Sequence, residues 1–289
     1  MTNFIQAVQR AHLRHYAIPA FNVSNLEMTQ SVLAAAVRLK SPVIIQTSEA
    51  ALSYAGHRTL VAIIRSVCRE LAPNFPAFLH LDHGQHLAVV KDCLRLGYDS
   101  VHLDASAFDL NKNIKLTKAA VNFARRYKVP VQGELGALLG REGLVKLRSG
   151  FNYRQMMTDP PQAKKFVAQT GVATLAINVG TIHGSFKGLE KIDLPRLRQI
   201  AKLIKLPLVL HGGSGNRPAA LKQAIKAGIS IINIDTDLRL AWAKALKKYL
   251  AALDLKEKVD PRQILLVATK AMEAEAARLI KIFGSANQA

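Results

Sequence analysis

The chain has 289 residues, 49% of them hydrophobic and 21% charged, which is enough for one large domain with a substantial core or for two small ones. A formal net charge of +20, from 40 basic and 20 acidic residues, points to anionic partners of some kind. The basic residues are scattered through helix-like segments such as "LKKYL", "FARRYK" and "QAKKF", with no RNA-binding signature, zinc finger or basic tail, so solvated helix faces and at most weak, non-specific, salt-sensitive contact with nucleic acid are expected.

The opening "MTNFIQAVQRAHLRH" carries no apolar core of a secretory signal, and no later run is long and apolar enough for a membrane span, so a cytoplasmic protein is expected. The first short apolar run, 18–23, contains Asn22 at its end and leads into a helix-like segment, 26–39. A second run, 42–47, ends against Ser48, and helix 60–71 follows with Cys68 in it. Strand 77–83 closes in "HLDHG", placing Asp82 and His83 at its end, and helix 87–96 carries Cys93. Two cysteines in separate helix-like segments read as core thiols in a reducing compartment. Strand 100–104 ends on Asp104, before helix 114–127. Strand 129–134 ends on Glu134, before helix 161–170. Strand 174–180 has His183 just beyond it, before helix 194–204. Strand 207–211 ends on His211, before helix 218–227, and strand 230–236 carries Asn233, Asp235 and Thr236.

Eight strands alternating with helices predict a (β/α)8 TIM barrel, one domain over 1–289 with additional C-terminal helices. A doubly wound sheet is the competing α/β architecture, but no G-x-G-x-x-G opens the first helix. Each strand ends in a group that can hydrogen-bond, ionise or ligate, and in a barrel all eight ends meet on the C-terminal face. His83, His183 and His211 each have a glycine beside them, in "DHG", "IHG" and "LHGGSG". Three neutral imidazoles with an open fourth position make a catalytic zinc site, whereas one such histidine alone would more often be an ordinary buried polar residue.

The order and spacing of "YAIPAFNVSNLE", "PVIIQTSEAALSYAG", "HLDHG", "SVHLDAS", "GELG", "TDPPQAKKFVAQTG", "GTIHGSFKG", "LVLHGGSG", "NIDTD" and "DPRQIL" resemble the class II, metal-dependent fructose-bisphosphate aldolases nearly end to end. The resemblance implies Zn2+ on His83, His183 and His211, with Asp82 as the acid/base beside it. It also matches Asp104 and Glu134 to acidic positions associated with a second or alternate cation, divalent or monovalent; orienting a ligand is the other role open to each. Glu142, in the loop after strand five, resembles a glutamate proposed to move protons at the enediolate carbon. Cleavage between C3 and C4 of a ketose bisphosphate needs a Lewis acid at the ketone and a base for the C4 hydroxyl, and it needs no Schiff-base lysine.

The glycine-rich "HGSFKG" and "HGGSG" can cradle phosphate on backbone amides, with Gly184, Lys187, Gly212, Gly213 and Ser214 as candidates. Asn22, Ser48, Asn233, Asp235 and Thr236 complete the expected substrate contacts. The resemblance adds Arg262 for the far phosphate, reaching across a subunit interface of a homodimer or homotetramer; a solvent-facing arginine at a helix start is its other reading. Departures from the family pattern fall at Arg141, Gly143, Ala173 and Ile231, and put turnover and substrate preference in question. The expected activity is reversible cleavage of fructose 1,6-bisphosphate to dihydroxyacetone phosphate and glyceraldehyde 3-phosphate. Tagatose 1,6-bisphosphate is the rival substrate, disfavoured because the chain reads "DHG" and "NIDT" rather than "DHH" and "NVAT". A basic nucleic-acid-binding protein on an aldolase scaffold is the rival from another class.

Overall fold

β-Branched and leucine-rich runs of three to eight residues form eight strands: β1 (Ile18–Asn22), β2 (Val43–Ser48), β3 (Ala77–Gly84), β4 (Ser100–Leu103), β5 (Val131–Leu135), β6 (Thr174–Ile177), β7 (Leu208–Leu210) and β8 (Ile229–Ile234). In this computed structural model, which describes residues 3–136, 153–181, 192–254 and 259–289, they pair in chain order, all parallel. β8 returns to β1 through Ile18↔Ile231 and Ala20↔Asn233, closing the barrel. The expected (β/α)8 architecture is therefore present.

Eleven α-helices lie among the described residues: α1 (Phe4–Arg14), α2 (Leu26–Arg38), α3 (Glu49–Ala55), α4 (His57–Leu71), α5 (Leu87–Arg95), α6 (Leu110–Ala124), α7 (Pro160–Thr170), α8 (Leu194–Leu203), α9 (Pro218–Lys226), α10 (Thr236–Ala251) and α11 (Pro261–Phe283). α4 shows why such segments are helical: Leu60, Val61, Ile64 and Val67 recur at helical spacing and are buried against the barrel. Caps set many of the starts, as where the Asp109 carboxylate accepts from the Lys112 amide and begins α6 at Leu110, four residues before the expected 114.

Strand ends also differ from expectation for local reasons. β6 stops at Ile177, not 180, because Asn178 turns its side chain back to accept from the Gly180 amide. β8 stops at Ile234, and Asp235 and Thr236 open α10 instead. β4 stops at Leu103, because Asp104 folds back onto the amide and hydroxyl of Ser106.

Alternation along the strands makes two apolar layers. Outward residues such as Leu79, Leu81, Val101, Leu175, Leu210 and Ile232 pack under the helices. Inward residues Ile18, Ile44, Phe78, Val209 and Ile231 fill the N-terminal half of the barrel. α1 closes that end with Phe4, Ala7, Val8 and Ala11, held by a capping box between Asn3 and Gln6. Burying one large apolar side chain there contributes about 1.5–3 kcal/mol. Above this floor the inward positions turn polar: Gln46, His80, His102 and Gln132 are all buried. One end of the barrel is thus plugged, and the polar groups face the other. Both cysteines are free; burial pushes the Cys68 and Cys93 thiols up to about 11 and about 12, as inert core thiols. No helix among the described residues is long and apolar enough to cross a membrane.

Candidate active site

The end of β3 breaks the regular alternation of its side chains. Its register against β4 shifts between Leu81↔Val101 and Gly84↔Leu103, so three steps on β3 match two on β4. His83 sits at φ 47°, a left-handed conformation uncommon for a non-glycine residue. This bulge brings two consecutive residues, Asp82 and His83, into one polar cluster at the barrel mouth. Gly84 is required beside it, since a Cβ there would lie 2.5 Å from the His102 carbonyl oxygen and 2.8 Å from Leu81.

Asp82 is 4% exposed. Its two oxygens accept from Asn22 Nδ2 at 2.8 Å and Asn233 Nδ2 at 3.1 Å, amides presented by β1 and β8. Burial alone would raise its pKa; neighbouring His83 and the Asn22 hydrogen bond outweigh that and hold it below the usual value, as a carboxylate.

His83 Nε2 lies 2.8 Å from His211 Nδ1, with the rings edge to face. The other nitrogen of each ring is engaged: His83 Nδ1 meets Asp104 Oδ2 at 2.8 Å, and His211 Nε2 meets the Gln132 amide at 3.2 Å. Two imidazole nitrogens aimed at one spot, each ring oriented from behind, is how metal-ligating histidines are held. Glu134 lies alongside, 1% exposed, with Oε2 3.6 Å from His211 Nδ1 and 3.8 Å from His83 Nδ1. Neither Glu134 oxygen has a hydrogen-bond partner among the described residues. Burial, reinforced by Asp104, pushes its pKa well above the ordinary value. For His83, burial works against the charged ring, but Asp82, Asp104 and Glu134 prevail and lift its pKa to about 10. A buried carboxyl with no hydrogen-bond partner among the described residues, facing imidazole nitrogens, is a donor set that a divalent cation would complete on displacing the protons, so the residues present fit a metal. Among the described residues, Asp82 with His83 and His211, and His83 with His102 and Glu134, are the two groupings close enough to share one.

Of the other expected residues, Asn22, Ser48, Asp104, Glu134, Asn233 and Asp235 stand at strand ends around this centre. Ser48 caps α3 by accepting from the Ala51 amide, and Asp235 pairs with Arg239 at 2.7 Å. In the loop after β7, Ser214 Oγ accepts from the Asp237 amide at 3.2 Å, and Gly213 donates to Asn233 O at 3.2 Å. A Cβ on Gly213 would come within 2.5 Å of Ile232, so only glycine allows the loop this close to β8. Gly212 precedes it and Thr236 begins α10. Arg262 pairs with Asp260 at 2.7 Å and is largely solvent-exposed, and the described residues do not bring it into the cluster. Glu142, His183, Gly184 and Lys187, with the departures Arg141 and Gly143, lie outside the described residues.

Four residues at the site were not anticipated from the sequence. Gln132 and His102 are mid-strand positions, two residues before Glu134 and Asp104, so strand alternation would have found them on the same inward face. Tyr54 and Arg239 line a cavity of about 240 Å³ together with Asn22, Ser48 and Asp235.

The family model for fructose-bisphosphate aldolase class-II matches residues 2–288. The chain belongs to this family. It is similar to the YdjI aldolase of Escherichia coli K12, with 31% identity, 100% of this chain and 99% of that one covered, and a TM-score of 0.86. A candidate fructose-1,6-bisphosphate aldolase from Coccidioides immitis is 26% identical over 99% of this chain and 98% of its own, also with a TM-score of 0.86. The fructose-bisphosphate aldolase of Campylobacter jejuni shares the fold at 23% identity, covering 98% and 94%, with a TM-score of 0.80. The chain is a class II aldolase, a lyase of a metal-dependent family whose substrates are sugar phosphates.

Proposed function

We propose that this aldolase uses zinc and reversibly cleaves fructose 1,6-bisphosphate to dihydroxyacetone phosphate and glyceraldehyde 3-phosphate, as a cytoplasmic homo-oligomer serving glycolysis and gluconeogenesis. The observation that carries the reading is Asp82, a buried carboxylate clamped by two amides beside the facing nitrogens of His83 and His211. His83 and His211, with His183, would hold the metal. When bound, zinc supplies Lewis-acid stabilisation of the charge that develops on the ketone oxygen during cleavage.

The remaining steps belong to side chains. Asp82, ionised at neutral pH, takes the C4 hydroxyl proton, and returns it in the condensation direction. Asn22 and Asn233 keep its oxygens from rotating, so the base is oriented before substrate arrives. Asp104 and Gln132 fix the rings of His83 and His211. The Gly212–Ser214 loop, with Gly184, Lys187 and Thr236, takes the phosphate of the ketone fragment. The cavity bordered by Ser48, Tyr54 and Arg239 takes the far end of the sugar, with Arg262 contributed from a neighbouring copy in a dimer or tetramer. Asp235 orients Arg239 there.

The test joins metal analysis of the purified protein to retro-aldol assays on fructose and tagatose 1,6-bisphosphates, reading released triose phosphates. About one zinc per chain and at least tenfold higher kcat/KM on the fructose ester are expected, with no inactivation by borohydride plus substrate. Preference for tagatose would replace the substrate assignment, and full activity without metal would remove the zinc.

A further inference from the structure

The bulge in β3 frees the backbone amide of His83 from the β-ladder, and a buried amide without an acceptor is costly. Its acceptor is a side chain from the next strand: His83 N–H donates to His102 Nδ1 at 3.1 Å. That bond decides the chemistry of the whole ring. A nitrogen that accepts cannot carry a proton, so His102 is neither an imidazolium nor the Nδ1–H tautomer. Its single proton is on Nε2. A protonated nitrogen has no lone pair for a metal, so His102 is not a ligand, although it lies close enough to His83 and Glu134 to look like one.

Among the described residues His102 Nε2 is buried and without a hydrogen-bond partner, as are both oxygens of Glu134. The two groups face each other, His102 Nε2 and Glu134 Oε2 standing 3.5 Å apart, and a side-chain shift of a few tenths of an ångström makes this a hydrogen bond. The other imidazole nitrogens near that oxygen are occupied: His83 Nδ1 by Asp104 and His211 Nδ1 by His83 Nε2. We propose that His102 is a positioning residue with two jobs fixed by one tautomer: Nδ1 supports the bulge that aligns Asp82 with His83, and Nε2–H holds the Glu134 carboxylate toward the metal position. This role rests on the metal-dependent reading given above.

The two nitrogens can be replaced separately. In His102→Asn the amide oxygen stands in for Nδ1 and the Nε2 donor is lost. In His102→Gln the amide nitrogen stands in for Nε2 and the acceptor beside His83 is lost. Zinc affinity is measured by competition with a chromophoric chelator, the ligand set by the absorption bands of the cobalt-loaded protein, and the fold by the Tm of the metal-free protein. His102→Asn should keep the parental metal-free Tm and the cobalt band positions while zinc affinity falls about 10- to 100-fold, the usual effect of losing a group that orients a ligand. His102→Gln should lower the metal-free Tm, and any loss of zinc affinity should come with that lower Tm, through the loosened bulge that carries His83. Parental zinc affinity in His102→Asn, or cobalt bands displaced as for a lost nitrogen ligand, overturns the role while leaving metal dependence standing. A parent protein that binds neither zinc nor cobalt overturns both.

Discussion

At the scale of single residues, Asp82 is defined by its two amide clamps. Asp82→Asn would set an NH2 group against one of the two Nδ2 donors while removing the base. Turnover should fall by about two to four decades, the usual worth of a general base, with zinc content unchanged; steady-state kinetics and metal analysis on one preparation check both. His83 gives a pH effect of definite sign. Its pKa in the metal-free protein is lifted from 6.5 to about 10, so its contribution to stability is complete below about pH 6.5 and is lost as pH rises through about 10. Zinc must displace that proton. Its apparent affinity should therefore rise by about tenfold per pH unit from neutrality toward 10, with proton release on loading, measurable by chelator competition across pH.

The residue-scale features legible in the sequence were those at strand ends, where glycine-flanked histidines and carboxylates interrupt apolar runs. Asp82, His83 and His211 were found that way and meet in the structure. His102 and Gln132 were not: alternation from Asp104 and Glu134 puts them on the inward face, but nothing about a mid-strand polar residue separates a role at the site from a structural one. Tyr54 and Arg239 lie on helices, where their spacing resembles any solvated surface.

At the scale of elements, β3 is the segment where sequence rules gave least. Its apolar pattern predicts a strand correctly, but period-two alternation would send Asp82 and His83 to opposite faces. The bulge between Leu81 and Gly84 corrects this, and a bulge leaves no compositional mark beyond the glycine. Gly84→Ala tests its necessity: the new Cβ would overlap a backbone oxygen that cannot move without shifting β4. A loss of about 1–3 kcal/mol in unfolding free energy is expected from chemical denaturation, together with weaker zinc binding. The helices α1 and α3 are marked in the sequence by a different kind of signal. α1 is called by its Asn3–Gln6 capping box, and α3 by the Ser48 cap immediately after a strand, signals shorter than the hydrophobic periods used to find the rest.

At the scale of the whole molecule, the eight βα units announced the barrel, since each apolar run is too short for a helix and each spacer long enough for a crossover. The net charge of +20 is a property of this scale too. If it reflects solvated helix faces around an anionic-substrate site, duplex DNA should bind weakly at about 50 mM salt and be released by about 200 mM. Submicromolar binding that survives such salt, in a fluorescence anisotropy titration, would establish a second activity.

The seam between β1 and β8 has a consequence for the chain during synthesis. The first strand cannot find its second neighbour until nearly the whole barrel has been made, because Ile18 waits for Ile231. Until then β1 is an open edge, and the floor of the barrel lacks Ile231, one of the side chains α1 packs against. Its most non-local contacts form last, so the nascent chain passes through a stage with exposed strand and unfilled core. The last helix is tied into the same event: Phe283 on α11 accepts from the Ala17 amide just before β1. Emergence of β8 and α11, rather than completion of any single βα unit, is the step on which the native stability of this barrel depends.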